Sequence, residues 1–203
     1  MGLFKMKEYS SGLVSQSFWY HEFKRFVNLL NNGVSETEIK RQCMEENLLG
    51  MSKEYRSQRV YGYIINRTRT MDSDFIKLFC NSDMETQKLI NLITVLRTDK
   101  LFFEFIYEIY REKILLGDYT LTDKDLNVFI NHKQNQNEEI ALWKDVTLKR
   151  LKSSYFNFMT DANLLMITDK KKTITPPILD PALERYLKYN DEIPMLKAIT
   201  GVR

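Results

Sequence analysis

Glycine and proline are scarce in this chain, at seven and four in 203 residues. That argues against a turn-rich sheet protein and for helices. Cysteine is scarcer still. Cys43 and Cys80 are the only two. Both fall in helical apolar patterns and read as buried thiols rather than a disulfide. Histidine is limited to His21 and His132. His21 stands among Trp19, Tyr20 and Phe23, a packing position. His132 stands in a polar connector with no Cys or His at ligand spacing. The CxxC, HExxH, P-loop, GxGxxG and GxSxG motifs are all missing. The acidic pairs Asp72/Asp74 and Asp123/Asp125 stand at expected helix starts, where carboxylates offset the helix dipole. The expectation is a protein with no catalytic residues, no metal and no cofactor. The start, MGLFKMKEYSSGL, holds no apolar run long enough for a signal peptide. The most apolar helix carries Glu104, Glu108 and Arg111, a poor membrane span. A cytoplasmic setting without a membrane is therefore expected.

What is present is helical patterning. The stretch from Thr98 to Leu126 holds Leu101, Phe102, Phe103, Phe105, Ile106, Tyr107, Ile109, Tyr110, Ile114, Leu115 and Leu116 around a thin polar stripe. A helix apolar almost all round belongs in the middle of a domain. Gly117 can end it, and Thr122 can cap the next helix. Upstream, helices are predicted over about Ser17–Asn31, Ser35–Asn47 and Ser52–Thr70. Ser35 with Glu38 forms a capping box, and Val34 with Ile39 forms a staple. A short helix over about Ser73–Cys80 follows, then one from a second capping box, Ser82 with Glu85, to about Arg97. Downstream, helices are predicted over about Asp123–Asn131 and Glu138–Asp161. Two β-prone runs, Leu164–Thr168 and Thr173–Thr175, flank Asp169-Lys170-Lys171-Lys172 and predict a hairpin with a cationic tip. Pro176-Pro177 closes it. Helices over Ala182–Tyr189 and about Met195–Ile199 end the chain.

Charge is weakly basic overall, +3 with a pI near 8.7, below the footprint usual for nucleic-acid binders. Its distribution is more informative. Residues 53–69 carry a local +4, residues 144–152 a local +3 and residues 169–172 a local +2, so the remainder is net acidic. Arg56, Arg59, Tyr63 and Arg67 recur at i, i+3, i+7 and i+11 along one edge of their helix, with Lys53 before and Arg69 after. Such a row suits phosphate and base-edge contact. It also has a plain structural reading, a solvated face whose stems lie beside the core. The helix pair over residues 35–70 fits a helix-turn-helix unit. Helices 100–116, 123–131 and 138–161 followed by a lysine-tipped hairpin fit a winged-helix unit. Thr147, Lys149, Arg150 and Lys170, Lys171 and Lys172 would then share a surface. A helical core with a stray hairpin is the alternative.

The block TDKLFFEFIYEIYREKILLGDYTLTDKDL resembles the central signature of the BrxA family, a component of bacterial BREX phage-defence systems. YSSGL, FWYHEFKRFVNLL, SETEIKRQCMEENLL, ETQKLINLITVLRTDK, TLKRLKSSY and PPILDPALERYL follow the family's order. The resemblance implies a small, non-enzymatic, cytoplasmic helical protein that binds double-stranded DNA through helix-turn-helix-type modules, beside other BREX proteins. The family has also been likened to NusB-type antitermination proteins, which bind RNA. An RNA-binding role and a protein–protein scaffold are thus the rival expectations.

The expected architecture is mainly α with one short hairpin. A helix-turn-helix-like region spans residues 9–72. A C-terminal region spans 73–203, with its winged segment at about 99–176. The contact residues expected from the helical wheel and wing are Lys53, Arg56, Arg59, Tyr63, Arg67 and Arg69, with Thr147, Lys149, Arg150 and Lys170–Lys172.

Overall fold

Helix α1 (Tyr20–Asn31) buries Phe23, Phe26 and Val27 along one stripe. The computed structural model, of which residues 8–201 are described, begins its first compact unit just before that helix. Residues 1–7, the front of the stretch read for a leader, lie outside the described residues.

In the unit of residues 18–98, α2 (Glu36–Glu45) follows Gly33, whose φ of 78° is the left-handed turn that frees the chain from α1. The Ser35 side chain accepts from the Glu38 amide, as the capping pattern predicts. The Glu38 carboxylate does not turn back to Ser35. It binds Arg41 and accepts from Gln42, and Arg41 first, then Gln42, hold its carboxyl down to about 2. Helix α3 (Glu54–Thr68) starts after Lys53 rather than Ser52. The link from Glu46 to Lys53 is longer than a tight helix-turn-helix turn, with left-handed Asn47 and Gly50 inside it. Helices α4 (Ser73–Asn81) and α5 (Met84–Thr98) complete the unit. Asp83 caps α5 by accepting from Thr86, whereas Ser82 donates to the Leu78 carbonyl of the preceding helix.

This compact unit runs on to residue 98. Asp72 is the N-cap of α4, and α4 and α5 pack on α1 and α3. Arg97 donates to the Thr70 carbonyl and lies 4.4 Å from the Phe75 ring centroid. No residue of α5 from Leu89 to Leu96 is exposed, so this helix is the unit's central element.

The other unit joins residues up to 17 with those from 99 on. A 3₁₀ turn (Gly12–Ser15) packs against a later helix through buried Leu13. The apolar stretch forms one helix in three pieces: α6 (Lys100–Phe105), a π-helical turn (Ile106–Tyr110) and α7 (Arg111–Leu115). Helix α8 (Asp123–Gln136) opens on a complete capping box between Thr122 and Asp125. It extends through most of the expected polar connector. The long helix predicted over 138–161 is broken. α9 (Glu138–Ala141) is a single turn capped by Asn137, and α10 (Asp145–Asp161) begins after extended Lys144. Phe102 stacks on Tyr155 at 4.3 Å, and Phe105 meets Phe129 and Tyr155, so α6 sits between α8 and α10.

Strands β1 (Leu165–Thr168) and β2 (Lys171–Ile174) pair antiparallel, Thr168 opposite Lys171. Asp169 and Lys170, both at positive φ, form the two-residue turn. Thr120, between α7 and α8, makes an isolated antiparallel bridge to Thr173 on β2. Helices α11 (Pro181–Tyr189) and α12 (Ile193–Thr200) close the unit, with α12 against the π turn and α7. Among the described residues no helix is long and apolar enough to cross a membrane.

Candidate functional site

Helix α10 turns Leu148, Leu151, Tyr155 and Met159 into the core. That spacing leaves Lys149, Arg150, Ser153 and Asn157 exposed. Thr147 is half-buried in the first turn. A shallow groove of about 460 Å³ runs along this face, lined by Val14, Val146, Lys149, Arg150 and Asn157, with no carboxylate in its lining. The Ser153 and Ser154 hydroxyls are committed to the carbonyls of Lys149 and Arg150. A second groove, about 590 Å³, lies between α8 and α10 and differs in charge. Asp123 and Asp145 line it, and Lys152 donates to Asn127 at 2.5 Å. Anions therefore suit the first groove better than the second.

The hairpin divides its three expected lysines. Lys170 is in the turn, and Lys171 is exposed at the head of β2. Lys172 is not part of the tip. Its Nζ lies 3.0 Å from both Asp123 oxygens and 4.7 Å from the Phe156 ring centroid, which fastens the hairpin to α8 and α10. Strand alternation is the reason, since Lys172 shares a face with buried Ile174. Among the described residues no salt bridge engages Lys149, Arg150, Lys170 or Lys171.

The row on α3 divides as well. Lys53, Arg56 and Arg59 are exposed. Tyr63 is half-buried and stacks on Trp19, with ring centroids 5.9 Å apart at 19°. Arg69 is exposed, but it grips Glu36 at 2.7 Å. Arg67 departs from the expectation of an exposed guanidinium. Only 1% of it is exposed, and its Nη1 donates to the Phe18 carbonyl at 2.9 Å. Burial pushes its pKa down to about 9, so the cation persists at neutral pH.

Neither thiol is poised for chemistry. Cys43 is buried, and burial pushes it up to about 11. Cys80 is half-buried, is also shifted upward by burial, and donates weakly to Asn28. No cluster of His, Cys, Asp or Glu that could hold a metal occurs among the described residues. Asn157 is exposed on the outward face expected for this helix, whereas Lys152 is half-buried beside Asn127.

Comparison with known proteins agrees with the sequence resemblance. The family model described as BrxA matches residues 7–191. A curated protein of Bacillus cereus (strain H3081.97), named BREX protein BrxA, is 33% identical over 176 residues. The match covers 87% of this chain and 88% of that protein. An uncharacterised protein from Magnetospirillum magneticum has a crystal structure that superimposes with a TM-score of 0.82. That match covers 97% of this chain and all of the other at 17% identity, a likeness of fold.

Proposed function

The chain belongs to the BrxA family, and we propose that it acts in a bacterial BREX phage-defence system as a non-catalytic, cytoplasmic, double-stranded DNA-binding component. The order α6–α7, the Thr120 bridge, α8, α9, α10, β1, β2 supports a winged-helix reading, in which α10 would be the recognition helix. The observation that carries the reading is the outward face of α10. Lys149 and Arg150 stand there without salt bridges, beside a groove with no carboxylate in its lining. Duplex DNA is a dense array of phosphates, and free lysines and arginines bind it by releasing counterions. Lys170 and Lys171 at the hairpin turn would follow the backbone. Ser153 and Ser154 are spent on their own helix, so contact is mainly with phosphate and only weakly with sequence. Other BREX proteins are the expected partners.

Reversing Lys149→Glu and Arg150→Glu together tests this. Both side chains are exposed, so the fold should persist by circular dichroism. Affinity for a duplex should fall by about a hundredfold or more, since each reversal removes an attraction and adds a repulsion. Unchanged duplex affinity in the folded variant would remove α10 from the interface.

A further inference from the structure

Trp19, which precedes α1, has φ 48° and ψ 48°, a left-handed conformation that bulky L-residues avoid. Strain of this kind survives only where the surroundings over-determine it. Here they do. The carbonyl of Phe18, the residue before it, accepts from Arg67 at 2.9 Å and from Asn91 at 3.0 Å. These donors come from α3 and α5, and neither is more than 1% exposed. The Phe18 ring is itself buried. The Trp19 carbonyl accepts from Phe23 and so starts α1. Three contacts thus fix one strained residue, and the product is the placement of a single indole.

That indole is not packed away. It is half-buried, stacked on half-buried Tyr63, with the Arg67 guanidinium carbon 5.6 Å from its ring centroid. Arg59 and Arg56 precede Tyr63 by four and seven residues on α3, the spacing of one helix face, and both are exposed. Tyr55, 66% exposed, lies one turn before Arg59.

We propose that Trp19 and Tyr63 form a stacking platform for an unpaired nucleobase, with Arg59 and Arg56 holding the phosphates of the same single strand. Pre-set aromatic rings beside guanidiniums are how proteins hold single-stranded nucleic acid. A duplex keeps its base faces stacked inside, so it cannot use the rings. Adjacent guanidiniums repel a cationic ligand, which excludes a methylated lysine as the occupant. The site shares no residue with the α10 face and does not depend on the duplex reading.

The test uses the full chain carrying Trp143→Phe, which leaves Trp19 as the one indole. Probes are oligo-dT and oligo-U of about 12 nucleotides, the scale of a single-strand site, and a dT·dA duplex of that length. Stacking predicts quenching of Trp19 fluorescence by a single strand and little by the duplex. Quenching by oligo-dT, by oligo-U or by both supports the platform and identifies its source as DNA, RNA or either. Trp19→Ala and Tyr63→Ala should weaken single-strand binding by roughly tenfold, and Trp19→Phe should restore much of it. Arg59→Gln, on an exposed site that leaves folding intact, should weaken single strands as well. Quenching by the duplex as strong as by the single strands overturns the proposal, as does no quenching by any probe. Loss of duplex binding in the α10 variants has no bearing on this result.

Discussion

Arg56 and Arg67 differ by only about 20° around the axis of α3, because eleven residues make just over three turns. One is exposed and the other is 1% exposed. The wheel cannot separate them, since it knows the helix and not its neighbours. The difference arises because the Phe18 carbonyl and the Trp19 ring cover the C-terminal end of α3. The two arginines should respond differently to truncation. Arg67→Ala opens a cavity and removes one of two donors to a buried carbonyl, at a cost of about 3 kcal/mol. Arg56→Ala should change stability by less than about 0.5 kcal/mol. Urea denaturation of the two variants measures both, and equal losses would contradict the assignment. Cys43 gives a second prediction. The unfolded chain ionises this thiol near 9, and the folded protein only near 11. The folded state therefore keeps a proton that the unfolded state releases, and its stability falls as pH rises through that window. A Cys43→Ser comparison by thermal melting from pH 8 to pH 11 should show a smaller decline in the variant. In the same protein, Cys80 should react with a thiol reagent under native conditions and Cys43 only on unfolding.

Element types were largely legible, and element boundaries much less so. The caps at Ser35, Thr122 and Asp180 are where their side-chain chemistry places them. Asp83 displaced Ser82 because the serine hydroxyl could satisfy a carbonyl behind it, an option that the capping pattern does not encode. The break at residues 142–144 was invisible because the apolar periodicity carries through it. The π turn at Ile106–Tyr110 was hidden for a related reason. One extra residue in a run apolar on every side leaves no phase slip to notice. Its neighbour α12 ends on Gly201, at φ 73°, where an added Cβ would lie 2.4 Å from the Ile114 side chain. Gly201→Ala combines a left-handed backbone with a clash against α7, and it should cost more than about 1 kcal/mol. Chemical denaturation reads this directly. Gly33→Ala, with open space around the same backbone region, should cost less.

At the scale of the molecule, α4 and α5 look self-contained in sequence but pack with α1 and α3 in one compact unit. The concentration of positive charge was legible, while the fate of each charge was not. Of the twelve contact residues expected, Lys172 and Arg69 hold carboxylates, Arg67 supports the core and Tyr63 supports an indole. Lys149, Arg150, Lys170 and Lys171 remain available in the unit that carries the hairpin. The central claim is that these four cations hold a DNA duplex. It is tested most directly by the salt dependence of duplex binding, measured for the natural chain and for a variant with all four changed to alanine. Each lost phosphate contact removes about 0.9 from the slope of log affinity against log salt. The account predicts a slope shallower by about 3 to 4 in the variant, with the helical fold intact. An unchanged slope would contradict it.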